Sequence, residues 1–271
     1  MGAANARILT GMYAPVAPDY EEIWAPLLRP YGLRLLEMLP LRTAHRVLEL
    51  GCGVGRLLPA IAERAPDAAV IGCDLVEDMV RRAPPSFMRA VADGTQLPFA
   101  DASFDAVVSA FCVFHFPDPP AALPGVARTI AAGGAIAIAV WGTGEVFPAA
   151  DVWEAALDRL GVPPDLAGGA QDGRELVDSM GKLGAALEGA GFGDVRTESV
   201  EWRVHWTLEA FLDWRLRMGP SRRRLEELST ERRAEVVTEA RARVAELGDA
   251  ALVQLDEVVL ATGLAAGVAP G

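Results

Sequence analysis

Lysine is almost absent from this chain. Of its 25 Lys and Arg side chains only Lys182 is a lysine, and 37 Asp and Glu leave a formal net charge of −12. Binding to a phosphate backbone relies on clustered cations, so no nucleic-acid partner is expected. Histidine is scarce: His45, His115 and His205 are not spaced as metal ligands, and no metal is expected. The three cysteines, Cys52, Cys73 and Cys112, contain no C-x-x-C pair. Each lies in or beside an apolar run, so they read as small buried hydrophobes rather than a disulfide framework. Long hydrophobic runs are missing as well. The longest, Ala135–Trp141, is too short to span a bilayer and suits a buried strand. No basic segment followed by a long apolar run opens the chain, so neither a secretory leader nor a membrane partner is expected, and the location expected is cytoplasmic. No internal repeat or low-complexity tract is evident.

What is present suffices for a well-packed globular enzyme. At 271 residues and 51% hydrophobic composition the chain can bury one large core, with or without an appended lid. Its most informative stretch is Val47-Leu48-Glu49-Leu50-Gly51-Cys52-Gly53-Val54-Gly55-Arg56. An apolar run ends beside a carboxylate, meets three glycines at alternate positions, and opens into a helical pattern at about Gly55 to Arg64. Glycines permit a turn with φ > 0 and let a ligand lie on bare backbone. A helix start adds free N–H groups. A nucleotide-like cofactor is therefore expected. A nicotinamide dinucleotide fingerprint, G-x-G-x-x-G, would need glycine where Arg56 stands.

Strands and helices alternate from Arg46 onward. Strands are expected at Arg46–Leu50, Ala69–Asp74, Met88–Ala92, Phe104–Ala110 and Ala135–Trp141, and a helix at Ala121–Ala131 that stops at Gly133-Gly134. This alternation predicts an α/β fold with a doubly wound, mostly parallel sheet. Residues 1–42, punctuated by prolines, read as a helical N-terminal cap on a domain spanning 43–271. Further helices are expected at about Ala150–Leu160, Arg174–Gly189, Leu208–Met218 and Leu225–Leu247, and strands at Val195–His205 and Val253–Thr262. Gly and Pro, including Gly168-Gly169, punctuate residues 142–173. The Arg- and Glu-rich helices read as solvated faces laced with pairs three or four residues apart.

The E-x-G-x-G-x-G turn, with the motifs that follow it in order, resembles the class I S-adenosylmethionine-dependent methyltransferases, in their small-molecule (quinone-biosynthesis-like and natural-product) branch. The resemblance is close over Arg46–Trp141 and extends in outline to the rest. It implies a seven-stranded Rossmann-like sheet whose last strand is antiparallel, and lid insertions at about 142–173 and 206–250. The cofactor implied is S-adenosyl-L-methionine, leaving S-adenosyl-L-homocysteine as product. Backbone at Gly51, Cys52, Gly53 and Gly55 would cradle it. Asp74, about twenty residues past the turn, stands where such folds bind ribose hydroxyls; a turn aspartate capping the helix at Val76 is the other reading. Leu75 and Met79 would cover adenine or pack the core. Asp93-Gly94 either contacts the adenine amino group or forms a plain Asp-Gly turn. Glu49 would lie near the methionine ammonium or fix the loop. Backbone at Ala110 and Phe111, after the fourth strand, would receive that ammonium.

Val113-Phe114-His115-Phe116-Pro117-Asp118 resembles the branch's V-L-H-H-x-x-D segment, with Phe114 replacing its first histidine. His115, and after it His205, are the candidate bases or acceptor-orienting groups. Tyr13, Tyr20, Trp24, His115, Trp206 and Trp214 are candidates for the acceptor site or lid. Asp118-Pro119-Pro120 is similar to the D-P-P-Y motif of nucleic-acid amino methyltransferases, but Ala121 replaces the stacking aromatic, and a proline-rich helix start is the better reading. The reaction expected is methyl transfer to a small, largely apolar acceptor: O-methylation of a phenol, enol or acid, or C-methylation of a quinone-like ring. A same-fold protein that promotes a non-methylating cyclisation, and a nicotinamide oxidoreductase, are the alternatives. Monomer and homodimer are both compatible with the sequence.

Overall fold

The structure is a computed structural model, described over residues 2–165 and 172–266. The punctuating Gly168-Gly169 pair lies outside these residues. Seven strands form one sheet: β1 (Arg46–Leu50), β2 (Ala69–Asp74), β3 (Met88–Val91), β4 (Phe104–Ala110), β5 (Ile130–Trp141), β6 (Phe192–His205) and β7 (Val253–Ala265). Their order is β3-β2-β1-β4-β5-β7-β6. The pairs among β1 to β5 are parallel, and β7 runs antiparallel to both β5 and β6. Val47, Leu48, Val107, Val108 and Ile136 are fully buried. Successive side chains on a strand point to opposite faces, so such runs require cover on both.

That cover is doubly wound. Helices α4 (Leu58–Arg64) and α5 (Glu77–Arg82) pack on β2, while α8 (Met180–Gly189) packs on β6 and β7 and against α6 (Pro119–Ala127). Before β1 come α1 (Ala3–Tyr13), a short turn α2 (Ala17–Asp19), a π-helical turn over Tyr20–Trp24, and α3 (Ala25–Glu37), which packs on β4, β5 and α4. The remaining helices, α7 (Pro148–Arg159), α9 (Leu208–Arg217), α10 (Gly219–Glu226) and α11 (Thr230–Ala245), build a separate core. Trp153, Phe211, Leu225, Val236 and Val244 are fully buried in it.

Several element boundaries depart from expectation, each for a local reason. Helix α4 starts at Leu58, not Gly55, because Gly51, Gly53 and Gly55 all have positive φ (73°, 52° and 70°); a left-handed residue cannot begin a right-handed helix. Helix α6 ends at Ala127, and after a two-residue turn the residues from Ile130 to Gly134 belong to β5. Ile130 already pairs with Phe104, and Gly133 (φ +76°) serves an irregularity within the strand rather than a helix stop. The stretch expected as one helix from Arg174 to Gly189 breaks before Ser179, whose hydroxyl caps α8 by accepting from Lys182 N–H. Ser229 likewise caps α11, splitting the long charged stretch into α10 and α11. Asp118 caps α6, accepting from Ala121 N–H at 3.0 Å, which accounts for the Asp-Pro-Pro sequence.

Trp153→Ala is expected to cost about 3–5 kcal/mol, the range for emptying a buried aromatic site. Urea unfolding followed by circular dichroism measures it, and a loss below about 1 kcal/mol contradicts the second core as described.

Candidate functional site

The carboxyl ends of β1, β2 and β4 meet in a cleft roofed by the N-terminal segment. Leu9, Tyr13 and Tyr20 form the roof. Gly51, Gly53, Asp74, Met79 and Gly94 line the floor and far wall, with Phe111 and His115 on the β4 side. Its atom-free space is about 700 Å³, open mouth included. A second cavity adjoins it through Tyr20, Gly51, Ala110 and Phe111. There Glu49, Arg29 and Arg56 come together.

The glycine turn is shaped by close approach as well as by φ. Gly51 and Cys52 both donate N–H to the Cys73 carbonyl, at 2.8 and 2.9 Å. A side chain on Gly51 would collide with Cys112. One on Gly53 would meet Tyr20 Cε1 at 3.7 Å, so that glycine leaves bare backbone facing the roof. Arg56, at the position a dinucleotide fingerprint gives to glycine, pairs with Glu21 of the roof segment at 3.1 Å.

Asp74 closes the turn. Its Oδ2 accepts from Gly53 N–H at 2.8 Å and its Oδ1 from Val76 N–H at 2.9 Å. The capping role is therefore present, while a carboxylate has about four acceptor sites and keeps capacity for a ligand in the cleft. Burial raises its pKa against the pull of those N–H groups. Asp93 accepts from Thr95 N–H (2.9 Å) and Oγ1 (2.7 Å), so the Asp-Gly turn is also real. Gly94 is pressed against Phe116 and lines the cleft. Met79 is buried under the roof with Ala17, Ala25, Val54 and Val76, and Leu75 packs beside them.

Glu49 is the electrostatic outlier. It is 4% exposed, and among the described residues its Oε2 has no hydrogen-bond partner. Burial, then the nearby Asp74 charge, pushes its pKa well up. An unpartnered buried carboxyl is costly and suits a site waiting for a cation. With Arg29 lining the same cavity, and Arg56 there already paired with Glu21, this end of the site offers a carboxyl and guanidinium groups, the complement of an amino acid's ammonium and carboxylate. An S-adenosylmethionine-type cofactor fits this arrangement: a zwitterionic end near Glu49 and Arg29, a sugar near Asp74, a flat base between Met79 and Gly94. Phe111 stands between the two cavities at φ +56°, tied by its N–H to the Ala139 carbonyl at 2.8 Å and packed on Trp141 at 4.6 Å. A bulky residue in that region is strained, a condition that clusters at functional sites.

A curated relative, nocamycin O-methyltransferase of Saccharothrix syringae, is 30% identical over 73% of this chain and 78% of its own length. The chain belongs to the class I S-adenosylmethionine-dependent methyltransferases. A family model described as "Methyltransferase domain" matches residues 48–138 of this methyltransferase. Malonyl-[acyl-carrier protein] O-methyltransferase of Herminiimonas arsenicoxydans is 36% identical over 45% of this chain and 46% of that protein. The YcgJ protein of Bacillus subtilis shares the fold, with TM-score 0.56, 19% identity, and coverage of 88% of this chain and 99% of that one. The methyltransferase therefore uses S-adenosylmethionine, and the nicotinamide alternative is set aside.

Not every sequence candidate reaches the cleft. His115 does: its Nε2 lies 2.9 Å from the Tyr13 hydroxyl, and the two rings meet edge to face. Burial lowers its pKa to about 4, with Asp172 opposing. His205 does not. It is exposed at the end of edge strand β6, and three strand spacings separate β6 from β4, roughly 14 Å. Trp24, Trp214 and Trp206 line neither cavity. They form a stack, Trp24 on Trp214 at 5.2 Å and Trp206 on Trp214 at 5.0 Å, that joins the N-terminal segment to α9. Sequence reading missed Arg29 and Arg217, whose arginine-rich surroundings carry no distinguishing pattern. No group of metal-binding side chains occurs among the described residues, and no helix there is long and apolar enough to cross a membrane.

Glu49→Gln is expected to stabilise the free protein. A carboxyl whose pKa is raised by folding makes stability fall as pH climbs above 4.5, its ordinary value. The gain in Tm should therefore grow from pH 4.5 toward neutrality. The same substitution should weaken S-adenosylhomocysteine binding by about 1.5–3 kcal/mol, the worth of a charge-assisted hydrogen bond. Tm against pH and calorimetric titration measure the two effects. A Tm gain already full at pH 4.5, or unchanged affinity, contradicts this account. Asp74→Ala should likewise cost about 1–3 kcal/mol in affinity.

Proposed function

We propose that this methyltransferase O-methylates a hydroxyl group, phenol or enol, on a small and largely apolar acceptor. The observation that carries the reading is the make-up of the main cleft. Among the described residues none that lines it is Lys or Arg, and its polar side chains beside Asp74 include Tyr13, Tyr20 and His115. An anionic acceptor would find no Lys or Arg side chain lining the cleft to pair with; a neutral hydroxyl has hydrogen-bonding partners in Tyr13, Tyr20 and His115. O-methylation in the named relatives supports the reading.

The cofactor, when bound, supplies a methyl carbon already activated by its sulfonium leaving group. The chain's part is to hold, orient and take a proton. Glu49 and the Ala110 backbone would hold the ammonium, Arg29 the carboxylate, Asp74 the ribose, and Leu75, Met79 and Gly94 the base. Residues 1–42 would act as a cap, with Tyr13 and Tyr20 shielding the cleft from water, and the described parts of the two inserts, 142–165 with 172–173 and 206–250, would act as a lid. Positioning of this kind can supply much of a transfer reaction's acceleration.

His115 is neutral at physiological pH, because burial holds its pKa near 4. In its Nδ1–H tautomer it accepts the Tyr13 hydroxyl proton at Nε2. Tyr13 Oη then presents its lone pairs to the cleft. As the acceptor hydroxyl reacts, its proton passes to Tyr13 Oη while the Tyr13 proton passes to His115 Nε2. Tyr13 is left unchanged and His115 charged.

Incubation with methyl-labelled cofactor and a panel of small phenols and enols tests the reaction. Label in an ether product is expected. Label on carbon, or an unlabelled rearranged product, would refute O-methylation and favour C-methylation or the cyclisation alternative respectively. His115→Ala and Tyr13→Phe should each lower kcat by about 100-fold while leaving affinity for S-adenosylhomocysteine within about threefold. The wild-type rate should fall on the acid side only as pH approaches about 4, where His115 takes its proton. An acid limb near the ordinary histidine value of about 6.5 would remove it from this role.

A further inference from the structure

The turn that brings Tyr20 into the cleft also fastens the roof to its surroundings. Residues Tyr20–Trp24 are π-helical, a form that occurs mostly as single turns at functional sites. Tyr20 lines the cofactor cleft. Glu21 pairs inward, with Arg56 of the glycine turn at 3.1 Å and Arg82 of α5 at 2.5 Å. Glu22 points the other way, to Arg217 in the last turn of α9, at 2.6 Å. Trp24 stacks on Trp214 of the same helix.

Arg217 is the centre of the outer attachment. Its Nε and Nη2 donate to Asp19 Oδ1 at 2.8 and 2.6 Å, and Nη2 also reaches Glu22. Asp213, one turn earlier, takes Nη1 at 2.8 Å and steadies the guanidinium. The Arg217 side chain is only 29% exposed and that of Asp19 26%. An isolated exposed pair contributes little, but a planar guanidinium shared among three carboxylates is a network with favourable geometry. Without it, Asp19 and Glu22 lie three residues apart as like charges beside Tyr20.

We propose that Arg217 is a positioning residue that keeps the N-terminal segment closed over the cofactor, acting through Asp19 and Glu22 on Tyr20. The inference rests on the cleft being the cofactor site, and it adds that the helical layer governs how long the cofactor stays.

The test uses the full-length protein with S-adenosylhomocysteine as probe, following intrinsic tryptophan fluorescence in stopped flow. Trp24 and Trp214 sit at the attachment and report on it directly. Arg217→Ala is expected to raise the dissociation rate on the order of tenfold with a small change in association rate, since contacts that hold a bound state act mainly on dissociation. Salt should speed dissociation from the wild type, by screening these partly exposed charges, and have much less effect on the variant. Arg217→Lys should restore part of the slow rate. The double substitution Asp19→Asn with Glu22→Gln removes the same attachment from the other side and should match Arg217→Ala, which covers the case that one variant folds poorly. Wild-type dissociation rates and salt dependence in both variants would overturn the proposal. Failure of the wild-type protein to bind S-adenosylhomocysteine would instead overturn the assignment of the cleft.

Discussion

Three backbone N–H groups fasten the glycine turn to the end of β2. Gly51 and Cys52 share the Cys73 carbonyl, and Gly53 donates to the Asp74 carboxylate. This fastening brings the carboxyl ends of β1 and β2 into one crevice, and the rest of the site is arranged around it. It demands left-handed backbone at alternate positions and no side chain where Cys112 approaches Gly51. Glycine meets both conditions without strain. The turn thus fixes where a ligand can lie before any side chain contributes.

The crevice is built at a cost in stability. Glu49 and Asp74 are both pushed toward higher pKa by burial, and Glu49 keeps an oxygen without a partner. Phe111 holds a left-handed conformation in the wall between the two cavities. Local rules broken together at one place mark a functional site more firmly than any one of them does alone. The negative groups lie at the end where a cationic cofactor would be welcomed. The wall of the cleft around His115 carries hydroxyl and imidazole groups instead.

Legibility from sequence differs between the two cores. The strands β1, β2 and β4 were readable to within a residue, because a strand covered on both faces must be apolar throughout and its ends are marked by Glu49-Leu50-Gly51, Asp74 and Ala110-Phe111. Helices were readable in kind but not in extent. The periodicity running through residues 225–247 gives no sign that Ser229 will cap a new helix, since serine is as compatible with an exposed helical position as with a cap. Gly133-Gly134 read as a helix stop, yet tertiary pairing of Ile130 with Phe104 had already committed that segment to β5.

By itself the sequence determined the alternating α/β architecture, the left-handed glycine turn, and the carboxylates at the ends of β1 and β2. These depend on short-range patterns of apolar, glycine and acidic residues. The tertiary structure alone decided that Tyr13 meets His115 across 102 positions, that Arg29 and Glu49 line one cavity, and that Arg217 reaches Asp19 across 198. The reason is physical. Such pairs are chosen by how packed elements bring distant surfaces together, and in a chain with 24 arginines besides Lys182 the local neighbourhood of each is too similar to single one out.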